Sequence, residues 1–235
     1  MDNLEEKACT CALNRIFGFT PKTGTALISH LGSASDVFSL SRAELEELLG
    51  RDSRHAGMIK GEAVKAARQE LKDLEKLGIS FSEWNSPNYP PLLMECPDAP
   101  VGLYIRSLTP AHELWNTSGN IAVVGTRDLS PYGKEWCEKA VIAIASGNEK
   151  PAIISGLALG TDICAHRTAL DNGLPTIGVM ATGPETVYPY RHKEFADRLW
   201  QTPGCALVTD YPPGTAPLAI HFLRRNRIIA GLADA

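Results

Sequence analysis

The sequence predicts an α/β protein in which a Rossmann-like parallel sheet domain follows a small all-α domain. Residues 4–80 carry apolar side chains at helical spacing, whereas from residue 121 short apolar runs alternate with amphipathic stretches. Strands that alternate with helices are typical of a parallel sheet with right-handed crossovers. Between the two regions, residues 85–100 contain five prolines, which excludes a regular helix or a central strand there.

The amino-terminal domain is predicted over residues 1–84. Apolar periodicity predicts helices over 4–17, 23–31 and 56–77. Ser41 followed by Glu44 is typical of a capping box that begins a further helix, and Gly78 is placed to end the last one.

Residues 85–110 are predicted to be a proline-rich linker and lead-in, and residues 111–235 the Rossmann-like domain. The strands of that domain are predicted at 121–124, 152–155, 176–180 and 206–209, and its helices at 132–145, 161–171, 193–200 and 224–232. Another strand is expected to begin at 233–235. We therefore expect this domain to be incomplete at its carboxyl terminus.

Composition excludes several classes of protein. The 235 residues carry a formal net charge of −4, so a uniformly basic nucleic-acid coat is not indicated. The sequence has no apolar run long enough to cross a bilayer and no basic, apolar leader at its start. Its six cysteines are scattered without the spacing of a zinc site. We expect a cytoplasmic protein with no membrane segment, no metal site and no cofactor.

Three loops that follow predicted strands have the composition of phosphate sites, because glycines admit a ligand to the backbone and helix N-termini favour anions. The first holds Gly125, Thr126 and Arg127; the second holds Ser155, Gly156, Gly160 and Asp162; the third holds Arg191 and Lys193. The dinucleotide fingerprint G-x-G-x-x-G and the P-loop motif are both missing, which disfavours a dehydrogenase and a P-loop hydrolase. Such glycine turns also occur as plain connections in α/β folds.

The strongest basic cluster is Arg224, Arg225, Asn226 and Arg227, placed at the mouth of a predicted helix. No acidic residue lies between Tyr211 and Gly231, so the cluster is predicted to be uncompensated and to bind a polyanion. The alternative is a solvated charged face.

One further pair of polar residues falls on a predicted helix. Asp162 is predicted to brace its loop, and His166, four residues later on the same face, to bond to that carboxylate. No catalytic residue is predicted.

Four motifs in order resemble the DprA or Smf family of DNA-processing proteins: VVGTRDLSPYG at 123–133, SGLALGTDICAH at 155–166, TIGVMATGPETVYP at 176–189 and RRNRIIAGLAD at 224–234. Residues 18–32 resemble a helix-hairpin-helix or SAM-like unit. The resemblance implies a single-stranded DNA-binding protein of natural transformation without catalytic activity. Its expected partners are single-stranded DNA, the RecA recombinase and, in the full-length protein, a second copy of the chain.

The resemblance also implies a binding pocket. The pocket would use Arg127, Arg225, Asn226 and Arg227, with Ser155 and Gly156 as its backbone floor and a basic residue at Arg191 or Lys193. Pro175 stands where the family often has lysine, so we expect either weaker DNA binding or a shift in the centre of binding.

Two alternatives remain at this level. One is a Rossmann enzyme resembling the nucleoside-monophosphate phosphoribohydrolases, which also have an arginine-containing helix where residues 224–232 lie. The other treats the helical domain as a protein-interaction module.

Overall fold

The computed structural model describes residues 3–235. Its first part consists of helices α1 Asn3–Phe17, α2 Pro21–Leu31, α3 Ala34–Ser39, α4 Arg42–Leu49 and α5 Gly61–Glu75. Ser41 and Glu44 form the predicted capping box at the start of α4. The predicted helix over 56–77 is shorter than expected, since residues 56–60 are not helical and α5 spans Gly61–Glu75. The six-residue α3 was missed because it is too short to show periodicity.

The second part is a six-stranded mixed sheet. Its strands are β1 Ile79–Glu83, β2 Gly102–Arg106, β3 Asn120–Ala122, β4 Ala152–Ser155, β5 Thr176–Val179 and β6 Ala206–Thr209. They lie in the order β1-β2-β6-β5-β4-β3. The four strands β6-β5-β4-β3 are parallel, as predicted, and β1 and β2 extend the sheet with antiparallel pairing.

β1 and β2 correct the sequence analysis, which assigned residues 79–83 to the all-α domain and residues 102–106 to the linker. Glu83 pairs with Gly102 across the two strands, and the Phe81 ring occupies the space above Gly102. A Cβ on Gly102 would lie 2.1 Å from that ring, so glycine is required for the pairing. The prolines between the two strands hid them from a pattern search.

Helices cover the sheet on both sides. They are α6 Pro91–Met94, α7 Ala111–Leu114, α8 Pro131–Ala145, α9 Thr161–Asp171, α10 Lys193–Trp200 and α11 Ala219–Gly231, with a short 3-10 turn at Tyr190–His192. α11 begins five residues before the predicted start at residue 224. The arginine cluster therefore lies in the middle of a helix, away from its N-terminal N–H groups.

The helical part and the sheet share one core. Phe81 and Tyr104 pack in the same apolar cluster as α1 and α5. Asn14 on α1 donates from Nδ2 to the Asp210 carbonyl at 2.9 Å and accepts from the Gly102 N–H at 3.2 Å. The division of the chain at residues 84 and 110 stays a prediction.

β3 forms the far edge of the sheet. Its neighbour Val124, predicted to be in a buried strand, is exposed. The last residues run beside this edge, because Asp234 donates its N–H to the Asn120 carbonyl at 2.8 Å and Ala235 accepts from the Ala122 N–H at 2.7 Å. Within residues 3–235, no helix is both long and apolar enough to cross a bilayer.

Candidate functional site

A cleft of about 370 Å³, here called the first cleft, opens where β3 and β4 end and α11 passes over them. Its lining includes Gly125, Arg127, Asp162, Phe222, Arg225 and Asn226. Five of these six residues were predicted site residues, and the carboxyl ends of parallel strands are where α/β sheets bind ligands. Phe222 was not predicted, and its position two residues before the basic cluster is the signal that could have found it.

The first loop meets the second at close range. The Thr161 N–H donates to the Thr126 carbonyl at 3.0 Å, and a Cβ on Gly125 would lie 2.5 Å from Thr161 Oγ1. Arg127 at the end of this loop is exposed, and its guanidinium lies 5.2 Å from the centre of the Phe222 ring. The loop thus presents a cation and an aromatic ring together at the opening of the cleft.

The second loop is held by its own side chains. Ser155 Oγ donates to the Val123 carbonyl at 2.6 Å, and Asp162 Oδ2 accepts from the N–H groups of Gly156 at 3.2 Å and Ala158 at 3.4 Å. Gly160 has a φ of +76°, and a Cβ there would lie 2.2 Å from the Thr126 carbonyl oxygen. Ser155, Gly160 and Asp162 therefore shape the cleft wall.

Arg225 forms the floor of the first cleft and is only 3% exposed. Its Nη1 donates to the Gly156 carbonyl at 2.6 Å and to the Val179 carbonyl. A Cβ on Gly156 would lie 2.3 Å from this guanidinium, so glycine there makes room for the arginine.

Arg225 and Asp162 are oppositely charged groups buried near each other. Burial lowers the pKa of Arg225 to about 10, although the nearby Asp162 charge acts to raise it. Burial likewise raises the pKa of Asp162, although the Arg225 charge acts to lower it. With a pKa of about 10, Arg225 stays charged at neutral pH and contributes a fixed positive charge beneath the cleft.

The two other arginines of the cluster point away from the first cleft. Arg224 donates to the carbonyls of Gly18 at 2.6 Å and Phe19 at 3.2 Å. Arg227 donates to the Asp98 carbonyl and pairs with Asp210 Oδ2 at 2.5 Å. The prediction of an uncompensated cluster is therefore wrong: the Asp210 carboxylate compensates Arg227, and backbone carbonyls accept from the Nη groups of Arg224.

The third loop contacts one lining residue of the first cleft through Tyr188. The Tyr188 and Phe222 rings lie 5.5 Å apart between centres. Arg191 and Lys193 are exposed, and Lys193 pairs with Asp197 at 2.5 Å. Neither basic side chain lines the first cleft in the part of the chain that the structure describes.

His166 has a structural place. It is fully buried, and its Nδ1 lies 2.7 Å from Thr176 Oγ1 rather than at the predicted partner Asp162. Thr176 Oγ1 itself donates to the Ile153 carbonyl at 2.7 Å, so His166 must donate from Nδ1 and be neutral or doubly protonated. Burial lowers its pKa to about 3, which selects the neutral form.

The first cleft thus combines an exposed guanidinium, the exposed amide side chain of Asn226, the Phe222 ring and a buried positive charge, and the Tyr188 ring packs against Phe222 beside it. These groups suit a ligand with both phosphate and planar apolar parts. Among residues 3–235, His, Cys, Asp and Glu side chains form no cluster that could hold a metal ion.

The fold and the cleft define an α/β protein of the Rossmann-like class with a basic cleft at the carboxyl ends of its strands. The sequence model of the family described as DNA recombination-mediator protein A matches residues 80–235. The chain belongs to this family, and the resemblance to DprA and Smf proteins is confirmed.

Relatives and solved structures agree with this assignment. Protein Smf of Escherichia coli is 39% identical over 72% of this chain and 43% of its own length, and DNA processing protein DprA of Streptococcus pneumoniae is 38% identical over 61% and 48%. The chain therefore spans about half the length of these curated relatives.

Two solved structures share the fold. The X-ray structure of the S. pneumoniae protein matches with a TM-score of 0.61 and 31% identity, covering 84% of this chain and 70% of that one. DNA processing protein A of Helicobacter pylori, whose structure was described for its single-stranded DNA binding mode, matches with a TM-score of 0.57 and 28% identity over 67% of this chain and 66% of its own.

Proposed function

We propose that this chain binds single-stranded DNA in the first cleft. The observation that carries the proposal is the exposed Arg127 guanidinium stacked over Phe222 above the buried charge of Arg225, in a fold of the recombination-mediator family. The single-stranded DNA binding mode of the H. pylori protein supports it. An arginine beside an aromatic ring serves both parts of an unpaired nucleotide, its phosphate and its base.

Each residue has a separate task in this proposal. Arg127 and Asn226 contact phosphate oxygens, and the backbone around Gly125 and Thr126 lets the strand approach closely. Phe222, together with Tyr188, stacks against a base. Arg225 stays beneath the surface, where it holds the second loop in place and adds attraction without leaving its carbonyl partners.

The remaining predicted residues lie outside the cleft and take secondary places. Arg191 and Lys193 are exposed beside the third loop and would contact the strand beyond the first cleft. Arg224 and Arg227 act through the contacts that position α11. Arg191 and Lys193 are assigned by their exposure, and Arg224 and Arg227 by their hydrogen-bond partners.

The wider role is also a proposal. We infer a cytoplasmic DNA-processing protein of natural transformation that protects incoming single strands and catalyses no reaction. Its proposed partners are the RecA recombinase and, in the full-length form, a second copy of the chain. The family description as a recombination mediator supports this role, because mediation joins a single strand to a recombinase.

The binding proposal is tested with Arg127→Ala. Loss of one charge-assisted phosphate contact is expected to weaken binding of a labelled oligothymidine by about 1–3 kcal/mol, measured by fluorescence anisotropy. Because each phosphate contact on a single strand contributes about 0.7 to the slope of log K against log salt, the variant's slope should fall by about that amount.

Arg51→Ala is the matched control, since Arg51 is exposed in the turn after α4 and its loss changes the net charge equally. Its affinity and salt slope should stay at the wild-type values. Equal losses in both variants would mean that only net charge matters, and wild-type affinity in Arg127→Ala would place the strand elsewhere.

The phosphoribohydrolase alternative predicts that the protein cleaves a nucleoside monophosphate, whereas the proposed DNA-binding role predicts that it does not. We expect no adenine to be released from AMP by the purified protein in a chromatographic assay, with a known hydrolase as positive control. Release of free base at a rate that scales with protein concentration would contradict the non-catalytic role.

A further inference from the structure

A second cleft, of about 560 Å³, lies on the other side of α11 from the first. Its lining includes Phe19, Lys22, Asp98, Leu223, Arg224 and Arg227. Leu223 lines both clefts and is 70% exposed, so the two cavities adjoin across the surface of one helix. The walls of the second cleft therefore come from the turn between α1 and α2 as well as from α11.

Phe19 is the prominent feature of the second cleft. It is 54% exposed at the turn between α1 and α2. The Arg224 guanidinium lies over this ring at 4.2 Å from its centre, and its hydrogen bonds to the Gly18 and Phe19 carbonyls fix the arginine there. The ring is thus held in place before any ligand arrives, which lowers the entropy that binding would cost.

The charges around Phe19 favour an anion. Lys22 in the first turn of α2 is exposed, and the Arg224 guanidinium adds a second cationic group beside the ring. Asp98 also lines the second cleft, and its carboxylate opposes the three basic side chains there, Lys22, Arg224 and Arg227, of which Arg227 is paired with Asp210. An exposed aromatic ring flanked by cations is the arrangement that single-stranded nucleic acid binds by base stacking and phosphate contact.

We propose that the second cleft is a base-stacking subsite for the same single strand that fills the first cleft. The strand leaves Arg127 and Phe222, crosses α11 over Leu223, and stacks a base on Phe19 with a phosphate near Lys22. This inference rests on the proposed function of the first cleft. It makes the turn between α1 and α2 part of the binding surface, and it extends the path beyond the Rossmann-like sheet.

The test compares two lengths of oligothymidine. A strand of about 4 nucleotides is long enough for one cleft, and a strand of about 20 nucleotides is long enough for both. Phe19→Leu keeps an apolar side chain but removes the stacking face. We expect it to weaken binding of the long strand by about 5- to 50-fold and to leave the short strand unchanged. Phe19→Trp should restore wild-type affinity for the long strand, because tryptophan stacks at least as well.

A second variant tests the same subsite in case Phe19→Leu weakens binding by disturbing the fold. Lys22→Glu changes an exposed side chain and should also weaken binding of the long strand selectively. If the wild type binds and Arg127→Ala weakens both lengths, but Phe19→Leu and Lys22→Glu bind the long strand as the wild type does, the second cleft is not a subsite and the proposed function stands. If the wild type binds neither strand, both proposals fail.

Discussion

Replacing Arg227 with methionine is expected to lower the free energy of unfolding by about 3–5 kcal/mol, the cost of leaving a buried charge without its partner. The Arg227 guanidinium pairs with Asp210 Oδ2 at 2.5 Å, and the two side chains are only 16% and 5% exposed. Methionine keeps the apolar stem of the arginine, so the loss reports the missing charge rather than missing packing. Urea unfolding followed by circular dichroism measures it.

The double variant Asp210→Asn with Arg227→Met is the control, because it also removes the carboxylate that is left without a partner in the single variant. It should recover most of the loss. The penalty of the single variant should also shrink as pH falls, since burial raises the pKa of Asp210 and a protonated carboxyl needs no cation. A loss below about 1 kcal/mol would instead mean that the pair behaves like a solvated surface pair.

The fold could be predicted wherever a local pattern sufficed. The parallel strands β4, β5 and β6 are short continuous apolar runs, and α9 and α10 lie at their predicted positions. The two antiparallel strands could not be predicted in the same way. β2 is buried along Gly102–Ile105 and shows no alternation, and its partner β1 follows the turn at residues 76–78 that ends the helical region. Their pairing therefore depends on contacts over about twenty residues of intervening chain.

The candidate site shows the same division between local and long-range information. The glycine loops and Arg127 are local features, and the structure places them around one cleft. The partners of the arginines are not local: Arg224 bonds to the carbonyls of Gly18 and Phe19, about two hundred residues away, and Arg225 bonds to the carbonyls of two different strand ends. A count of acidic residues cannot reveal backbone acceptors, which is why the cluster looked uncompensated.

His166 makes the second strong prediction, a loss of stability in acid. Its pKa of about 3 in the folded protein lies below the ordinary value of 6.5, chiefly because the ring is buried and also because the Arg225 charge is near. The unfolded chain therefore takes up the proton first. The contribution of His166 to stability is complete only well above pH 6.5 and falls as pH decreases toward 3, by about 2.5 kcal/mol between pH 7 and pH 4.5.

His166→Asn isolates this contribution, because asparagine does not titrate and can still donate to Thr176 Oγ1 from a similar position. Other buried groups, such as Asp162 and Asp210, have raised pKa values and oppose the trend, but they are present in both proteins and cancel in the difference. The unfolding free energy of the wild type should fall by about 2.5 kcal/mol more than that of the variant over this pH range. Parallel curves would show that the ring at residue 166 is not held neutral by burial, and the strand β5 contact at Thr176 would then have to tolerate an imidazolium.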